Sequence, residues 1–308
     1  MKVQTSFIVK EYLRPKMLPS TWCGGCGLGI IMGAIAQAVH FKGLDKDNVA
    51  MVSGIGCTGR MSGYMDFNTI HTTHGRAPAF ATGLKMARPE MTVLTVMGDG
   101  DAMSIGGNHL IHAMRRNIGM VAIVVNNSVY GLTGGQTSPT TPIGGHTTTA
   151  QSGSFERPMN LEALARTAGA AFYARATVNH TASLTKLIER ALDVSGFALV
   201  EIISNCHVLF GKMNQMAEAS TMIAAMDEDT WRTNPTLLRR AHLPIRLTSP
   251  ESPSAPVHAL TEMDDVEDES RTWRGVIFER KGSVDLSKRY YNMLGRIREQ
   301  QRAAEEMV

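Results

Sequence analysis

The chain has 308 residues, 43% of them hydrophobic, and a formal net charge of +3. Such a chain can bury a sizeable core in one large domain or two small ones, and its charge is too small to indicate nucleic-acid binding. No apolar stretch approaches the roughly eighteen residues of a membrane span, and the first residues lack the apolar segment of a signal peptide. With four cysteines, we expect a cytoplasmic protein without membrane or nucleic-acid contacts, whose cysteines bind metal rather than form disulfides.

The hydrophobic pattern predicts alternating strands and helices along most of the chain. Helices are predicted at residues 28–40, 78–86, 104–117, 161–169, 181–194 and 286–307. Strands are predicted at residues 49–53, 91–97, 120–125, 171–174 and 197–203. Because apolar strands alternate with helices, we predict an α/β fold with a mainly parallel sheet and helices on both of its faces.

The composition changes after about residue 215, so we predict two domains, at residues 1–215 and 216–308. Residues 248–270 combine prolines and serines with an acidic run, which is typical of an exposed connector or of an arm that wraps around a partner. The charged helix predicted at 286–307 would pack either on its own domain or on a partner subunit. The second domain is therefore predicted to be an extension that contacts a partner.

Polar residues follow two neighbouring strands at the point where each strand ends. Gly98, Asp99 and Gly100 follow the first strand, and Asn126 and Asn127 follow the second. Ligands of open α/β sheets bind beyond the carboxyl ends of the strands. Glycines let the backbone approach a phosphate, the next helix N-terminus favours an anion, and carboxylate and amide oxygens suit Mg²⁺. These residues predict a metal and diphosphate site, and a simple Asp-Gly turn is the alternative.

The four cysteines form a second candidate site. Cys23 and Cys26 form a Cys-x-x-Cys motif, while Cys57 and Cys206 follow predicted strands. Four thiolates can hold an iron–sulfur cluster or a zinc ion, and a Cys-x-x-Cys pair alone is also typical of a thioredoxin-like redox site. Taken alone, Cys206 is also compatible with an ordinary buried cysteine.

These motifs occur in a distinctive order. Gly98-Asp99-Gly100 is followed, after twenty-five residues, by Asn126-Asn127, which is similar to the thiamine diphosphate motif. The accompanying blocks are WCGGCG at 22–27, SGIGC at 53–57, HGRA at 74–77 and NNSVYGLTGGQTSPTT at 126–141. Together they resemble the β subunit of 2-oxoacid:ferredoxin oxidoreductases, particularly the 2-oxoglutarate type. The resemblance covers roughly residues 15–215 and implies a thiamine diphosphate-binding fold.

The resemblance implies three cofactors: thiamine diphosphate, Mg²⁺ and one [4Fe–4S] cluster. The implied Mg²⁺ ligands are the side chains of Asp99 and Asn127 and the backbone carbonyl of Val129. The implied cluster ligands are Cys23, Cys26, Cys57 and Cys206. The implied cofactor-binding residues are Gly56, Cys57, Gly98, Asp99, Gly100, Asp101, Asn127, Val129, Gly131, Leu132 and Thr133. Many members of the family have Asn at the position of Leu132, so this leucine is expected only to position the cofactor.

The resemblance also implies an activity and partners. The activity is oxidative decarboxylation of 2-oxoglutarate to succinyl-coenzyme A, or the reverse carboxylation, with electrons passing to ferredoxin. The alternative substrates are pyruvate or a broad range of 2-oxo acids. Thiamine enzymes use a glutamate to activate the cofactor, and no motif for it occurs here. An α subunit is therefore implied to supply it, in a heterodimer or a dimer of heterodimers. The other classes considered are a non-oxidative thiamine decarboxylase or synthase and a non-catalytic, zinc-bearing interaction subunit.

Two basic residues are candidates for contact with the substrate. Arg60 occupies the place of a basic residue that members of the family use near the substrate, and its planar guanidinium suits a carboxylate. A solvated surface arginine is the alternative. His74 is a second candidate for the same pocket, with His71 and Arg76 as further basic residues. We expect Arg60 and His74 to act in catalysis.

Overall fold

An eight-stranded sheet organises the part of the chain that the structure, a computed structural model, describes: residues 2–228, 230–232 and 272–305. The connector predicted at residues 248–270 lies outside these ranges. The strands are β1 (Val49–Ser53), β2 (Asn68–His71), β3 (Thr92–Gly98), β4 (Met120–Asn126), β5 (Val129–Tyr130), β6 (Gln136–Thr137), β7 (Phe172–Thr177), β8 (Phe197–Ile203), β9 (Thr230–Arg232) and β10 (Thr272–Glu279).

The strands of the large sheet lie in the order β2-β1-β3-β4-β8-β7-β10-β9. All neighbouring pairs are parallel except β7 and β10, which are antiparallel. β5 and β6 form a separate antiparallel hairpin. The predicted parallel α/β sheet is confirmed. The sequence analysis missed β2 because its Asn-Thr-Ile-His segment is polar and only partly buried, and so has no apolar run.

Helices pack on both faces of the sheet. They are α1 (Lys2–Glu11), α2 (Leu28–Phe41), α3 (Met61–Tyr64), α4 (Ala77–Ala87), α5 (Gly107–Arg115), α6 (Leu161–Ala168), α7 (Thr181–Leu192), α8 (Ala219–Glu228) and α9 (Leu286–Glu305). Alternate residues of β4 face opposite sides, as strand geometry requires. Val121 and Ile123 join the core that includes α2 and α7, whereas Ala122 and Val124 join the core that includes α4 and α5. The central strands are therefore buried on both faces.

Local signals explain where α6 begins and ends. The side chain of Asn160 accepts a hydrogen bond from the Ala163 amide at 3.0 Å, which caps the first turn. Gly169 ends the helix in the left-handed conformation, at φ 91°. In contrast, the helix predicted at residues 104–117 is wrong at its start. A π-helical turn covers Gly100–Ile105, and α5 begins only after Gly106, where the backbone packs against Gly75.

The last part of the chain adds to the same sheet. β10 pairs with β7, and α9 confirms the helix predicted near the C-terminus. Asn117 connects this region to the core, because its side chain donates to Ser283 Oγ at 2.8 Å and accepts from the Phe197 amide at 2.8 Å. The Tyr291 hydroxyl donates to the Met86 carbonyl at 2.9 Å, so part of α9 packs on its own chain. The domain boundary at residue 215 stays a prediction. Among the described residues, no helix is both long and apolar enough to cross a membrane.

The strand order determines where the functional loops meet. β1, β3, β4 and β8 are consecutive and parallel, so they all end at the same edge of the sheet. The loops that leave this edge contain Cys57, Asp99, Asn127 and Cys206. Residues from distant parts of the sequence are thus brought together by the pairing of four strands.

Candidate active site

A solvent-open pocket lies at this edge of the sheet. Every residue that the sequence analysis assigns to cofactor binding lines it, and so does His74. Three further lining residues were missed: Ile55, Thr58 and Tyr130. Tyr130 lies within the 126–141 motif, but its place in the pocket depends on a contact between residues that are distant in the sequence. Its hydroxyl donates to the Gly100 carbonyl at 3.3 Å.

Two glycines shape the loops around this pocket. Gly56 has φ 125°, a conformation that side chains strongly disfavour. Gly100 lies against the ring of Tyr130, and a Cβ built at this position would overlap the ring atoms. Glycine is therefore needed for the turn at position 56 and for the packing of Tyr130 at position 100.

Asp99 is one of two buried acids of the pocket, with 2% of its surface exposed. Its Oδ2 accepts hydrogen bonds from Ser138 Oγ at 2.7 Å and from Thr140 Oγ1. Burial raises the pKa of Asp99 to about 6, and the hydroxyl partners limit the rise. Both hydroxyls bond to Oδ2, and the backbone amides of Asp99 and Gly100 also donate to the carboxylate. Ser138 and Thr140 lie in the quoted motif, but no local pattern signals their role because they are about forty residues from Asp99 in the chain.

Asn127 lies across the pocket on the turn between β4 and β5. Its Oδ1 accepts from the Val129 amide at 3.4 Å, and Ser128 between them has φ 62°. Asp99, Asn127 and Val129 all line the same pocket. The structure therefore brings together the three residues that the resemblance implies as Mg²⁺ ligands.

The carboxylate of Asp101 is bound by the loops that carry Ile55 and His74. Its Oδ1 accepts from His74 Nδ1, from the Gly75 amide at 2.6 Å and from the Ile55 amide at 3.4 Å. Its Oδ2 is buried and has no hydrogen-bond partner among the described residues. Burial raises the pKa of Asp101, while the Gly75 amide and His74 oppose the rise. This arrangement fixes the His74 ring at the pocket wall, and the contact of Asp101 with a diphosphate stays a prediction.

The structure places Arg60 outside the lining of this pocket. Arg60 is exposed and follows the lining residue Thr58 by two positions. It forms a hydrogen bond with Tyr64, which contributes to the lowered pKa of that tyrosine. His71 is held by Ser53 Oγ at 3.0 Å, a structural role, and Arg76 donates to the Ile105 carbonyl at 3.0 Å. A substrate role of Arg60 stays a prediction.

The four cysteines lie near one another beside the pocket. A Cβ built on Gly131 would lie 3.5 Å from Cys57 Sγ and 3.6 Å from Cys206 Sγ. Burial raises the pKa of the Cys26 thiol to about 11, and the charges of the other three cysteines add to the rise. Thiols in such a place favour a positively charged partner, because metal binding offsets both the burial and the mutual repulsion.

Asn205 connects the two halves of the cysteine site. It is 1% exposed and directly precedes Cys206. Its Oδ1 accepts from the Gly27 amide at 2.9 Å, and its Nδ2 donates to the Gly25 carbonyl at 2.9 Å. The two bonds hold the residues immediately before and after Cys26. Asn205 thus holds the Cys-x-x-Cys loop against the end of β8, a role that the sequence did not signal.

Comparison with known proteins assigns the chain to a family. Residues 48–202 match the thiamine pyrophosphate enzyme, C-terminal TPP binding domain. The 2-oxoglutarate synthase subunit KorB of Methanothermobacter marburgensis is 42% identical over 282 residues, which cover 91% of this chain and 96% of that protein. The chain belongs to the KorB family.

Two further comparisons agree with this assignment. KorB of Archaeoglobus fulgidus is 52% identical over 196 residues, covering 64% of this chain and 73% of that protein. A solved structure of 2-oxoglutarate:ferredoxin oxidoreductase from Magnetococcus marinus, with 2-oxoglutarate, coenzyme A and succinyl-CoA bound, is 29% identical. It superposes with a TM-score of 0.76 and covers 94% of this chain and 90% of that chain. The chain therefore has the predicted thiamine diphosphate-binding fold and is an enzyme subunit, so the interpretation as a non-catalytic zinc-bearing subunit is wrong.

The raised pKa of Asp99 predicts a pH-dependent stability of the metal-free KorB chain. The folded-state pKa of about 6 exceeds the ordinary value of 3.8, so the ionised side chain destabilises the fold. This destabilisation is absent below about pH 4 and complete above about pH 7, where it amounts to roughly 2–3 kcal/mol. We expect Asp99→Asn to stabilise the metal-free chain by this amount at pH 8 and by almost nothing at pH 4, measured by urea unfolding. Asp47→Asn, at an exposed site, is the control, and a gain independent of pH would contradict the assignment.

Proposed function

We propose that this KorB chain is the β subunit of a coenzyme A-dependent 2-oxoglutarate:ferredoxin oxidoreductase. With an α subunit it converts 2-oxoglutarate to succinyl-coenzyme A, or catalyses the reverse carboxylation, and exchanges electrons with ferredoxin in the cytoplasm. The observation that carries the proposal is the single pocket that Asp99, Asn127 and Cys57 share. The substrate is inferred from KorB relatives and from the Magnetococcus marinus enzyme, whose structure contains 2-oxoglutarate and coenzyme A.

Asp99 and Asn127 are proposed to hold Mg²⁺ and, through it, the diphosphate of the cofactor. One carboxylate and one amide oxygen, with phosphates and water, form the kind of ligand set that Mg²⁺ accepts. The pair Ser138 and Thr140 orients Asp99 by binding its Oδ2. The Val129 carbonyl is the third proposed protein ligand, and Gly131, Leu132 and Thr133 continue the pocket wall.

Thiamine diphosphate, when bound, supplies a nucleophilic carbon and accepts the electrons that remain when a 2-oxo acid loses CO₂. The chain's own residues bind and orient it in this pocket. Among the described residues that line the pocket there is no glutamate, although thiamine enzymes use one to activate the cofactor. This supports the proposal that an α subunit completes the site.

Burial and the neighbouring cysteines raise the pKa of Cys26, so a cationic group that binds the four thiolates would offset both effects. Four thiolates can hold zinc or an iron–sulfur cluster, and relatives named as ferredoxin oxidoreductases favour the cluster. We propose that the four cysteines bind one such cluster, which would accept single electrons beside the pocket.

The proposed activity is tested with the α and β subunits, co-expressed and purified without oxygen. We expect ferredoxin reduction that requires both 2-oxoglutarate and coenzyme A, with a kcat/KM at least about tenfold above that for pyruvate, since a buried charge contact contributes about 1.5–3 kcal/mol. The β subunit alone should be inactive. Equal use of pyruvate would instead establish the broad 2-oxoacid alternative, and full activity of the single chain would refute the need for an α subunit.

Substrate selection by Arg60 has its own test. If Arg60 binds the distal carboxylate of 2-oxoglutarate, Arg60→Ala should raise KM for 2-oxoglutarate roughly ten- to a hundredfold more than for pyruvate, because a charge-assisted contact is lost. Arg76→Ala is the matched control, since Arg76 donates to backbone carbonyls at the pocket and should affect both substrates alike. An equal effect of Arg60→Ala on the two substrates would remove Arg60 from the proposal.

The role of Asn205 in the cluster site leads to a further prediction. Asn205→Ala removes the bonds on both sides of Cys26, so the cluster should be lost roughly tenfold faster in a chelator, for a loss of about 1–2 kcal/mol. The loss is followed by the decay of the broad cluster absorbance at about 400 nm and by the amount of acid-labile sulfide that remains. Asn214→Ala is the control, because Asn214 also holds a loop by three side-chain hydrogen bonds, to His146 and Phe210. Equal cluster decay in both variants would show that Asn205 has no specific role.

A further inference from the structure

A buried ion pair connects the two strands next to the metal-binding turn. Arg175 of β7 donates from Nε to Glu201 Oε2 of β8 at 2.5 Å, and the Tyr173 hydroxyl donates to the same oxygen. Arg175 Nη2 also donates to the Tyr173 hydroxyl at 2.9 Å. The exposed fractions of Arg175, Tyr173 and Glu201 are 8%, 0% and 2%. None of these side chains lines the pocket, and the proposed function does not use them.

The second oxygen of Glu201 reaches the neighbouring strand. Asn126, the last residue of β4, donates from Nδ2 to Glu201 Oε1 at 2.8 Å. Asn126 Oδ1 accepts from the Ser128 amide at 3.3 Å, and its backbone carbonyl accepts from the Ser204 amide at 2.9 Å. Ser128 has φ 62°, a conformation that a serine adopts only when its surroundings hold it there.

The chemistry of a carboxylate makes this contact directional. An ionised carboxylate can only accept hydrogen bonds, so the NH₂ group of Asn126 must face Glu201. The amide oxygen of Asn126 must then face the other way, toward the Ser128 amide. The turn that carries Asn127 and Val129 is thereby held in one conformation. A glutamine at position 201 would offer both a donor and acceptors, and the direction would be lost.

We propose that Glu201, fixed by Arg175 and Tyr173, is a positioning residue that orients Asn126 and, through it, the metal-binding turn of Asn127 and Val129. The inference rests on the proposed function, because it takes Asn127 and Val129 as Mg²⁺ ligands. A stabilising role alone is a weak explanation of the ion pair. Apolar residues of similar volume stabilise a core as well or better, but they offer nothing to orient the amide of Asn126.

The test measures cofactor binding separately from stability, in the purified complex of α and β subunits freed of thiamine diphosphate and Mg²⁺. Asn126→Ala removes the contact and leaves the buried ion pair intact. We expect its dissociation constant for thiamine diphosphate, measured by calorimetry at fixed Mg²⁺, to rise about tenfold, which corresponds to about 1.4 kcal/mol. The Mg²⁺ concentration for half-saturation should rise as well. The thermal midpoint of the cofactor-free complex should change no more than in the control variant.

Glu162→Gln is the matched control. Glu162 lies on the other side of Arg175, with Oε2 3.9 Å from Nη1, and no hydrogen bond joins it to Asn126 among those described. We expect this variant to bind the cofactor as the wild type does. Glu201→Gln is the second test, and it should weaken binding at least as much as Asn126→Ala.

Three outcomes would overturn the positioning role. The first is wild-type affinity in Asn126→Ala. The second is weaker binding in all three variants in proportion to their loss of thermal stability, which would show a merely structural network. The third is a wild-type complex that binds no thiamine diphosphate with Mg²⁺, which would refute the proposed function together with this inference. If the unmutated complex binds thiamine diphosphate and Asn126→Ala binds it equally well, the positioning role is refuted and the proposed function is not.

Discussion

The parallel pairing of β4 with β8 is the constraint on which the rest of the site depends. Its register places Asn126 opposite Ile203, so the two strands end at the same level. The turn that carries Asn127 therefore leaves the sheet beside the segment that carries Asn205 and Cys206. A shift of one residue would turn every side chain of a strand to the opposite face. Glu201 would then point away from Asn126, and the cofactor pocket and the cysteine site would no longer adjoin.

Much of this arrangement could be predicted from the sequence, because its signals are local. Apolar β-branched runs identify the central strands, and polar residues directly after them identify the loops at their carboxyl ends. The predicted cofactor-binding residues consequently line one pocket. The spacing of the Gly-Asp-Gly and Asn-Asn motifs also predicts where the cofactor site lies, which the amino-acid composition alone does not. It places Asp99 and Asn127 directly after two successive strands, β3 and β4, and the pairing of these strands then brings them together.

The rest could not be predicted, because it depends on pairs of residues that are distant in the sequence. Ser138 and Thr140 resemble ordinary loop residues until the fold places them on Asp99. Asp101 follows the motif, yet its carboxylate faces His74 and Gly75. A glutamate within the apolar strand β8 gives no hint that its partner is Asn126 on the next strand. Loop geometry and side-chain direction, rather than residue type, decide these contacts.

Gly131 has a consequence for how the chain tolerates oxygen. Its backbone is one wall of the cofactor pocket, and the same residue faces the sulfurs of Cys57 and Cys206. Cys57 lines the pocket itself, and Cys206 Sγ lies next to Gly131 in the pocket wall. Any oxidant that enters the pocket arrives next to sulfur, where thiolates are readily oxidised. The closeness of the pocket to these sulfurs makes the chain vulnerable to air, and any partner that covers the pocket would shield the sulfurs as well.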